Sequence, residues 1–272
     1  MILYRIPMPF SLSRLAWLAL AVLLSGTAAY AERQPSDDER FVDDPRVQHL
    51  SYTFPQTGES IPYALFVPES YREGVEAPFI VSLHGLGRGY DWLMGYNGFL
   101  DYAEAGGYIV ATPLGYTRRG WFGSRETEDP TDAQYSEQDV MNVIARVRTE
   151  FAVDDNRIYL WGHSMGGAGT YHIGINNPDL FAGLAVAAPA PRRDLDPQAL
   201  EAIVDVPVLV IHGDDDQTVP VEQSRQWVAK MRELGMQHIY IEIPGGDHSL
   251  IVSQNRENMK KIVDFFNIVR KQ

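Results

Sequence analysis

The chain has 272 residues, 45% of them hydrophobic, which is enough to bury one sizeable core. Its formal net charge of −13 at pH 7 gives an acidic surface that repels phosphate backbones, so we expect no nucleic-acid partner. It contains no cysteine, which excludes thiol catalysis and disulfide cross-links.

The first 31 residues are typical of a secretory signal peptide. Arg5 and Arg14 flank an otherwise uncharged start, an apolar run extends from Leu15 to Leu24, and Ala29-Tyr30-Ala31 resembles a cleavage site. The alternative is a membrane anchor, but the uninterrupted apolar run is shorter than the roughly 20 residues that a spanning helix needs. We therefore expect no stable membrane span, and export to the periplasm or the medium after cleavage near Ala31.

Residues 32–46 are charged and contain proline, and we predict a flexible linker there, followed by one domain over residues 47–272. From Val47 onward, short β-branched runs alternate with helical patterns. The predicted strands are 47–54, 63–67, 79–83, 108–112, 158–161, 183–187, 208–211 and 238–243. The predicted helices are 91–105, 138–151, 165–175, 222–234 and 250–269. This order predicts an α/β protein with a mostly parallel, eight-stranded sheet and helices on both faces.

The segment between the fifth strand and the third helix contains a GxSxG pattern formed by Gly162, Ser164 and Gly166. In this position the pattern predicts a nucleophile elbow, a turn so tight that only glycines fit two residues either side of the serine. Ser164 is therefore the candidate nucleophile.

A serine hydroxyl needs a base to take its proton, and this type of fold places an acid and then a histidine later in the chain. His248 lies on the loop after the last strand and is the candidate base. Asp214, Asp215 and Asp216 follow the seventh strand, and spacing does not choose among them. Some of the remaining histidines lie in predicted strands or in a predicted helix. The others, His84, His163 and His212, adjoin motifs and are expected to shape their turns.

An acyl-transfer intermediate also needs two preset hydrogen-bond donors for its oxyanion. The backbone N–H of Met165, which follows the nucleophile, is one candidate. The glycine-rich turn after the third strand supplies the other, the backbone N–H of Leu86.

The sequences HGLG at His84, GHSMGG around Ser164, HGDDDQTVP from His212 and GGDHS at His248 together resemble the α/β-hydrolase superfamily. The resemblance covers nearly all of residues 47–270 and is closest to the exported esterase and predicted-peptidase group, which includes feruloyl-esterase-like and polyhydroxyalkanoate-depolymerase-like proteins. It implies an α/β-hydrolase fold, with Ser164 as nucleophile and His248 as base. The family pattern HGxxDxxVP implies that Asp216 is the acid.

Only residues 191–206 separate the sixth strand from the seventh, so we predict no cap domain and an open site. Its walls are expected to come from the loop 115–138, with Arg118, Arg119, Trp121 and Phe122, and from Trp92, Met94 and Tyr96. We expect Trp92, Trp121 and Phe122 to contact substrate. Such a cleft fits an acyl or aryl ester, or the ester at one end of a polymer.

Two other functions are compatible with the sequence. One is a serine peptidase of the prolyl-oligopeptidase-like type that acts on short peptides, and the other is a binding protein that kept the fold. Neither a metal nor a nucleotide cofactor is expected, because the glycines from Gly85 to Gly89 lack the spacing of a phosphate-binding loop, and a triad loop accounts for the three aspartates.

Overall fold

Eight β-strands form one sheet in the computed structural model of the protein, which describes residues 42–125, 127–191 and 195–271. The predicted signal peptide and residues 32–41 of the predicted linker lie outside the described residues. The strand order across the sheet is β1-β2-β4-β3-β5-β6-β7-β8. Pairs β1–β2 and β2–β4 are antiparallel and all others are parallel. The predicted α/β architecture with a mostly parallel, eight-stranded sheet is confirmed.

The strands are β1 Val47–Thr53, β2 Ser60–Phe66, β3 Ala77–Leu83, β4 Ile109–Pro113, β5 Val153–His163, β6 Gly183–Ala187, β7 Val208–Gly213 and β8 His238–Ile243. The helices are α1 Phe99–Gly106, α2 Pro130–Glu150, α3 Met165–Asn176, α4 Glu222–Glu233, α5 Leu250–Ser253 and α6 Arg256–Ile268. Short 3-10 helices span Trp92–Gly95, Trp121–Gly123 and Pro197–Ile203. Every residue of β3, β4, β6 and β7 is buried, as expected of strands covered on both faces.

Two hydrophobic cores lie on opposite faces of the sheet, because alternate strand residues point to opposite sides. One core joins Phe79, Leu160 and Val210 to the apolar faces of α2, α3 and α4. The other joins Ile80 and Trp161 to α1, α5 and α6. The helices are therefore distributed over both faces, as predicted.

Three predicted helices differ from the structure by more than one residue in their bounds. The predicted helix 91–105 is divided into a 3-10 helix and α1 because Gly98 has a φ of 84°, a left-handed conformation that interrupts the helix. The predicted helix 250–269 is divided before Asn255, whose side chain caps α6 by accepting from the N–H of Asn258. Helix α2 begins earlier than predicted, at Pro130, because Asp129 caps its first turn.

The last residues of the predicted linker contact the domain. The Val42 N–H donates to the Asp91 carboxylate at 2.6 Å, and Arg46 forms an ion pair with Asp101 at 3.2 Å. In its described part, the segment between β6 and β7 contains one 3-10 helix. Over the part of the chain that the structure describes, no helix is both long and apolar enough to cross a membrane.

Candidate active site

Ser164 lies in a strained turn between β5 and α3. Its φ of 59° and ψ of −116° are rare for a residue with a side chain. The chain is so close here that a Cβ on Gly162 would lie 2.2 Å from the Gly166 oxygen, and a Cβ on Gly166 would lie 1.9 Å from the Leu83 oxygen. The turn therefore requires both glycines, and it places the serine at the carboxyl end of the sheet.

Ser164, His248 and Asp216 form a hydrogen-bonded chain. His248 Nε2 lies 2.9 Å from Ser164 Oγ, and His248 Nδ1 lies 2.6 Å from Asp216 Oδ2. A carboxylate only accepts, so Nδ1 carries the proton and Nε2 of the neutral ring accepts from the serine hydroxyl. The structure thus brings together the three side chains that the motifs indicated.

Asp216 is the aspartate of its loop that faces inward. Its Oδ1 accepts from the N–H groups of Thr218 and Val219, both at 2.8 Å, whereas Asp214 and Asp215 are exposed. Burial raises the pKa of Asp216, but the Val219 N–H, the His248 ring and the Thr218 N–H outweigh burial and leave that pKa below its ordinary value. Asp216 is therefore ionised at neutral pH.

A second histidine, His212, contacts the same carboxylate oxygen as His248. Its Nε2 lies 3.0 Å from Asp216 Oδ2 and 3.0 Å from the Val219 carbonyl, so this nitrogen faces only acceptors and must carry a proton. Its Nδ1 lies 2.7 Å from Ser224 Oγ, on α4. Burial lowers the pKa of His212, which keeps the ring neutral, so that Ser224 donates to Nδ1.

His163, which precedes the elbow serine, is bonded to the loop that carries His248. Its Nε2 donates to the His248 carbonyl at 2.8 Å, and the Tyr96 hydroxyl donates to its Nδ1 at 2.5 Å. Burial lowers the pKa of His163 to about 3, so the ring is neutral. Trp92 stacks on this ring with a centroid separation of 5.5 Å. The buried Tyr96 and His163 thus fix the backbone of His248.

The two candidate oxyanion donors belong to residues near Ser164. Met165 is the first residue of α3, where backbone N–H groups have no acceptor within the helix. Leu86 lines the same cavity as Ser164. The ring of His84 ties the Leu86 loop to the loop after β4, because its nitrogens lie 2.8 Å from the Gly85 carbonyl and 2.7 Å from the Leu114 carbonyl.

A cavity of about 850 Å³ opens beside Ser164. Its apolar walls include Trp121 and Trp227, and Trp227 is held by stacking on Tyr171 of α3 at 4.0 Å. Its other lining residues come from the β6–β7 segment, the Asp216 loop, α4 and the loop after β4, and they are Ala190, Pro191, Leu195, Asp196, Pro197, Thr218, Val219, Gln223, Gln226, Leu86 and Arg125.

Of the three residues expected to contact substrate, only Trp121 lines this cavity. Phe122 is fully buried and packs against α3 at Gly169, so the expectation for Phe122 needs correction. Trp92 lies behind His163 instead of in the cavity wall, and Met94 and Tyr96 are buried in the core around α1. Phe122 and Trp121 both have left-handed φ values, of 52° and 57°.

The motifs did not indicate Trp227, Leu195 or the two glutamines of α4, which belong to segments outside every motif. His212 was expected to shape the turn of the HGDDDQTVP motif, and the structure shows that it also contacts the carboxylate of Asp216. Across the described ranges, no group of three or more His, Asp or Glu side chains is placed to hold a metal ion.

The strand order and the chain of hydrogen bonds through an elbow serine define an α/β-hydrolase, and the resemblance to this superfamily is confirmed. The chain belongs to the family described as "Putative esterase", which matches residues 55–256. Its family and fold are those of carboxylic ester hydrolases.

Several known proteins are similar to it. A bifunctional acetylxylan esterase/xylanase, XynS20E of Neocallimastix patriciarum, is 26% identical over 157 residues, which are 58% of this chain and 22% of that protein. A thermostable esterase of known structure is 27% identical with a TM-score of 0.65, over 83% of this chain and 64% of the other. A ferulic acid esterase, AmCE1/Fae1A of Anaeromyces mucronatus in complex with ferulic acid, has the same fold with 19% identity and a TM-score of 0.64, over 87% and 94% of the two chains. The matches span less than two thirds of the first two proteins.

Proposed function

We propose that the protein hydrolyses carboxylic esters through a covalent acyl-serine intermediate. The observation that carries the proposal is the hydrogen-bonded chain from Asp216 through His248 to Ser164, with distances of 2.6 and 2.9 Å. In this chain Ser164 is the nucleophile, His248 the general base and Asp216 the acid that orients the ring.

In the proposed reaction, the protons pass through His248, which hydrogen bonds join to Ser164 and Asp216. His248 Nε2 takes the Ser164 proton while Oγ attacks the ester carbonyl carbon, and the ring becomes an imidazolium stabilised by Asp216. When the tetrahedral intermediate collapses, the C–O bond to the alcohol breaks and the imidazolium returns the proton to the leaving oxygen. Water then enters, His248 takes one of its protons, and the water oxygen attacks the acyl carbon. When this second tetrahedral intermediate collapses, the bond to Ser164 Oγ breaks, the imidazolium returns the proton to Oγ, and the acid is released.

The N–H groups of Met165 and Leu86 are the proposed donors to the oxyanion in both tetrahedral intermediates. Backbone donors of this kind are set before the reaction, so they stabilise the developing charge without reorganising. Loss of one such donor typically costs about 3–4 kcal/mol of transition-state stabilisation.

The cavity fits an acyl or aryl ester, or one esterified end of a polymer. Trp121 and Trp227 give it apolar walls, while Gln223, Gln226 and Thr218 offer hydrogen bonds to a hydroxylated or amide-bearing group. Relatives named for acetylxylan and ferulic acid esters are compatible with this substrate class.

The test is the Ser164→Ala variant assayed on p-nitrophenyl esters of increasing acyl length, beside Ser70→Ala, which removes an exposed serine hydroxyl away from the site. We expect Ser164→Ala to lower kcat by at least about 10³-fold and Ser70→Ala to leave it unchanged. An unchanged rate in Ser164→Ala would refute the assignment of the nucleophile.

Cleavage of short peptides would use the same three side chains, so peptide p-nitroanilides belong in the same assay. Turnover of the anilides together with failure on unactivated esters would replace the esterase proposal by the peptidase one. A chain that turns over neither and resists fluorophosphonates would be a binding protein.

Export is a further part of the proposal and rests on residues 1–31 alone. The basic start, the apolar run and the AxA-like site support cleavage near Ala31. N-terminal sequencing of the mature protein is expected to begin near Glu32, and a start well before it would contradict export with cleavage.

A further inference from the structure

Four arginines lie on the two loops that border the cavity. Arg88 follows β3 in the glycine-rich turn, and Arg118, Arg119 and Arg125 follow β4. The two loops touch, because the Gly87 N–H donates to the Arg118 carbonyl at 2.9 Å. A Cβ built on Gly87 would lie 3.8 Å from the Arg119 guanidinium, so this cation lies against the Leu86 turn.

Arg125 is the cation that lines the cavity itself. It is partly buried, and its guanidinium carbon lies 5.0 Å from the ring centroid of Trp121. A guanidinium that stacks on an aromatic ring contacts the ring through the face of the guanidinium plane. The N–H donors lie around the edge of that plane, in the geometry that matches a carboxylate. Arg125 is therefore positioned on a buried aromatic ring in the same cavity as Ser164.

Arg125 and Arg119 differ in their partners from several arginines elsewhere in the described residues. Arg46, Arg148 and Arg225 each form an ion pair with a carboxylate, at 2.7, 2.9 and 2.6 Å. By contrast, no carboxylate of the described residues lies at ion-pair distance from Arg125 or Arg119. In a chain with a net charge of −13, Arg125 gives the wall of the cavity a positive charge that no described carboxylate pairs with.

One acidic side chain, Asp196, also lines the cavity. Its Oδ1 accepts from the Gln198 N–H at 2.8 Å and caps the 3-10 helix between β6 and β7, so a structural role accounts for this carboxylate. Within the described ranges the contact of the Arg125 guanidinium is the face of the Trp121 ring, and no described carboxylate forms an ion pair with it.

We propose that the site selects esters that carry a carboxylate, and that Arg125 binds this carboxylate while Ser164 attacks the ester. The inference rests on the proposed function, because it assigns the substrate class of that same site. Arg125 is a specificity-determining residue in this account, and Arg119 and Arg88 raise the local concentration of the anionic substrate. The carboxylate belongs either to the acyl chain, as in a dicarboxylic half-ester, or to the alcohol, as in an ester of an acidic sugar.

The experiment compares pairs of esters that differ only in charge. For the acyl side, mono-p-nitrophenyl adipate is paired with its neutral amide, p-nitrophenyl 5-carbamoylpentanoate. For the alcohol side, 4-acetoxybenzoate is paired with 4-acetoxybenzamide. The measured quantity is the ratio of kcat/KM for the anionic ester to that for its neutral partner, and the pair whose ratio responds to the variants shows which side carries the carboxylate.

The variants are Arg125→Gln, Arg125→Lys and the matched control Arg232→Gln, which removes the same charge from an exposed position on α4. We expect Arg125→Gln to lower the ratio roughly tenfold to a hundredfold in one pair, as for loss of a charge-assisted hydrogen bond. Arg125→Lys should lie between Arg125→Gln and the parent protein, because lysine keeps the charge and loses the planar fork. Arg232→Gln should leave the ratio within about twofold.

The proposal is overturned if Arg125→Gln leaves both ratios unchanged. It is also overturned if Arg232→Gln lowers the ratios as much as Arg125→Gln does, because the effect would then come from the overall charge of the protein and not from Arg125. The neutral esters separate this failure from failure of the proposed function. If neutral esters are turned over in a Ser164-dependent way while the ratios stay constant, the esterase proposal holds and the carboxylate proposal fails. If Arg125→Gln does not fold, the same comparison is made with Arg125→Lys. An unchanged ratio in Arg125→Lys, together with no inhibition of the parent protein by adipate, overturns the proposal.

Discussion

Replacing Tyr96 by phenylalanine removes a hydroxyl that donates to a buried histidine. The hydroxyl lies 2.5 Å from His163 Nδ1, and the side chains of both residues are buried. The opposite nitrogen of His163 stays protonated because it faces the His248 carbonyl, so Nδ1 is left as an acceptor without a donor. Such an orphaned group costs about 1–3 kcal/mol, and we expect Tyr96→Phe to lower the free energy of unfolding by about 2 kcal/mol.

The coupling between the two residues is the sharper test. Substitution of both partners by apolar groups relieves the orphaned atom, so the double variant Tyr96→Phe/His163→Leu should lose at least about 1 kcal/mol less than the sum of the two single variants. Urea unfolding followed by tryptophan fluorescence measures all three, with Tyr135→Phe as a control for a tyrosine packed against the other core. At about 2–4 °C per kcal/mol for a domain of this size, Tyr96→Phe should lower Tm by about 4–8 °C. Strictly additive losses would show that the hydrogen bond between Tyr96 and His163 contributes nothing.

Four further predictions concern the site and its supports. Asp216→Asn should lower kcat by roughly 10³- to 10⁴-fold, while the adjacent Asp215→Asn leaves it within a few fold, and equal losses would reject the choice between them. In His212→Asn, the Asp216 carboxylate loses a hydrogen-bond donor, so its negative charge acts more strongly on the imidazolium of His248. The acid limb of the pH profile of kcat/KM should therefore move to higher pH. A shift to lower pH would indicate instead that Asp216 is no longer correctly positioned. The pKa of Glu242 is lowered to about 2, chiefly by its hydrogen bond from Arg225 and then by the one from Tyr240. The stability that ionised Glu242 contributes is therefore present above about pH 4.5 and lost as the pH falls toward 2. The difference in urea midpoint between the parent protein and Glu242→Gln should shrink over that window, and a constant difference would contradict this prediction. Gly166→Ala would put a Cβ 1.9 Å from a strand carbonyl and should give insoluble or unfolded protein, so a folded variant of normal stability would refute the tight elbow.

The sequence predicted those parts of the site that the fold requires in a set order. A glycine-flanked serine between a strand and a helix leaves few alternatives for the chain, and a histidine after the last strand is brought to it by parallel strands that end at the same edge. Spacing did not choose among the three aspartates, because the choice depends on which carboxylate the N–H groups of Thr218 and Val219 turn inward. This choice depends on the tertiary structure of the loop, and in the sequence only the family pattern indicated Asp216.

The walls of the cavity were less predictable. Phe122 and Trp121 are adjacent buried aromatics with no pattern to separate them, and of the two it is Trp121 that lines the cavity. Trp227 reaches the cavity from α4, where its helical spacing indicates only a core position. Long-range packing, here stacking on Tyr171, decides such roles.

The most direct test of the central claim is intact-mass spectrometry after reaction with a fluorophosphonate. We predict a single adduct on the parent protein, located by peptide mapping at Ser164, and no adduct on Ser164→Ala. Labelling that persists in Ser164→Ala, or a folded parent protein that remains unlabelled, would contradict the assignment of Ser164 as a nucleophile activated by His248.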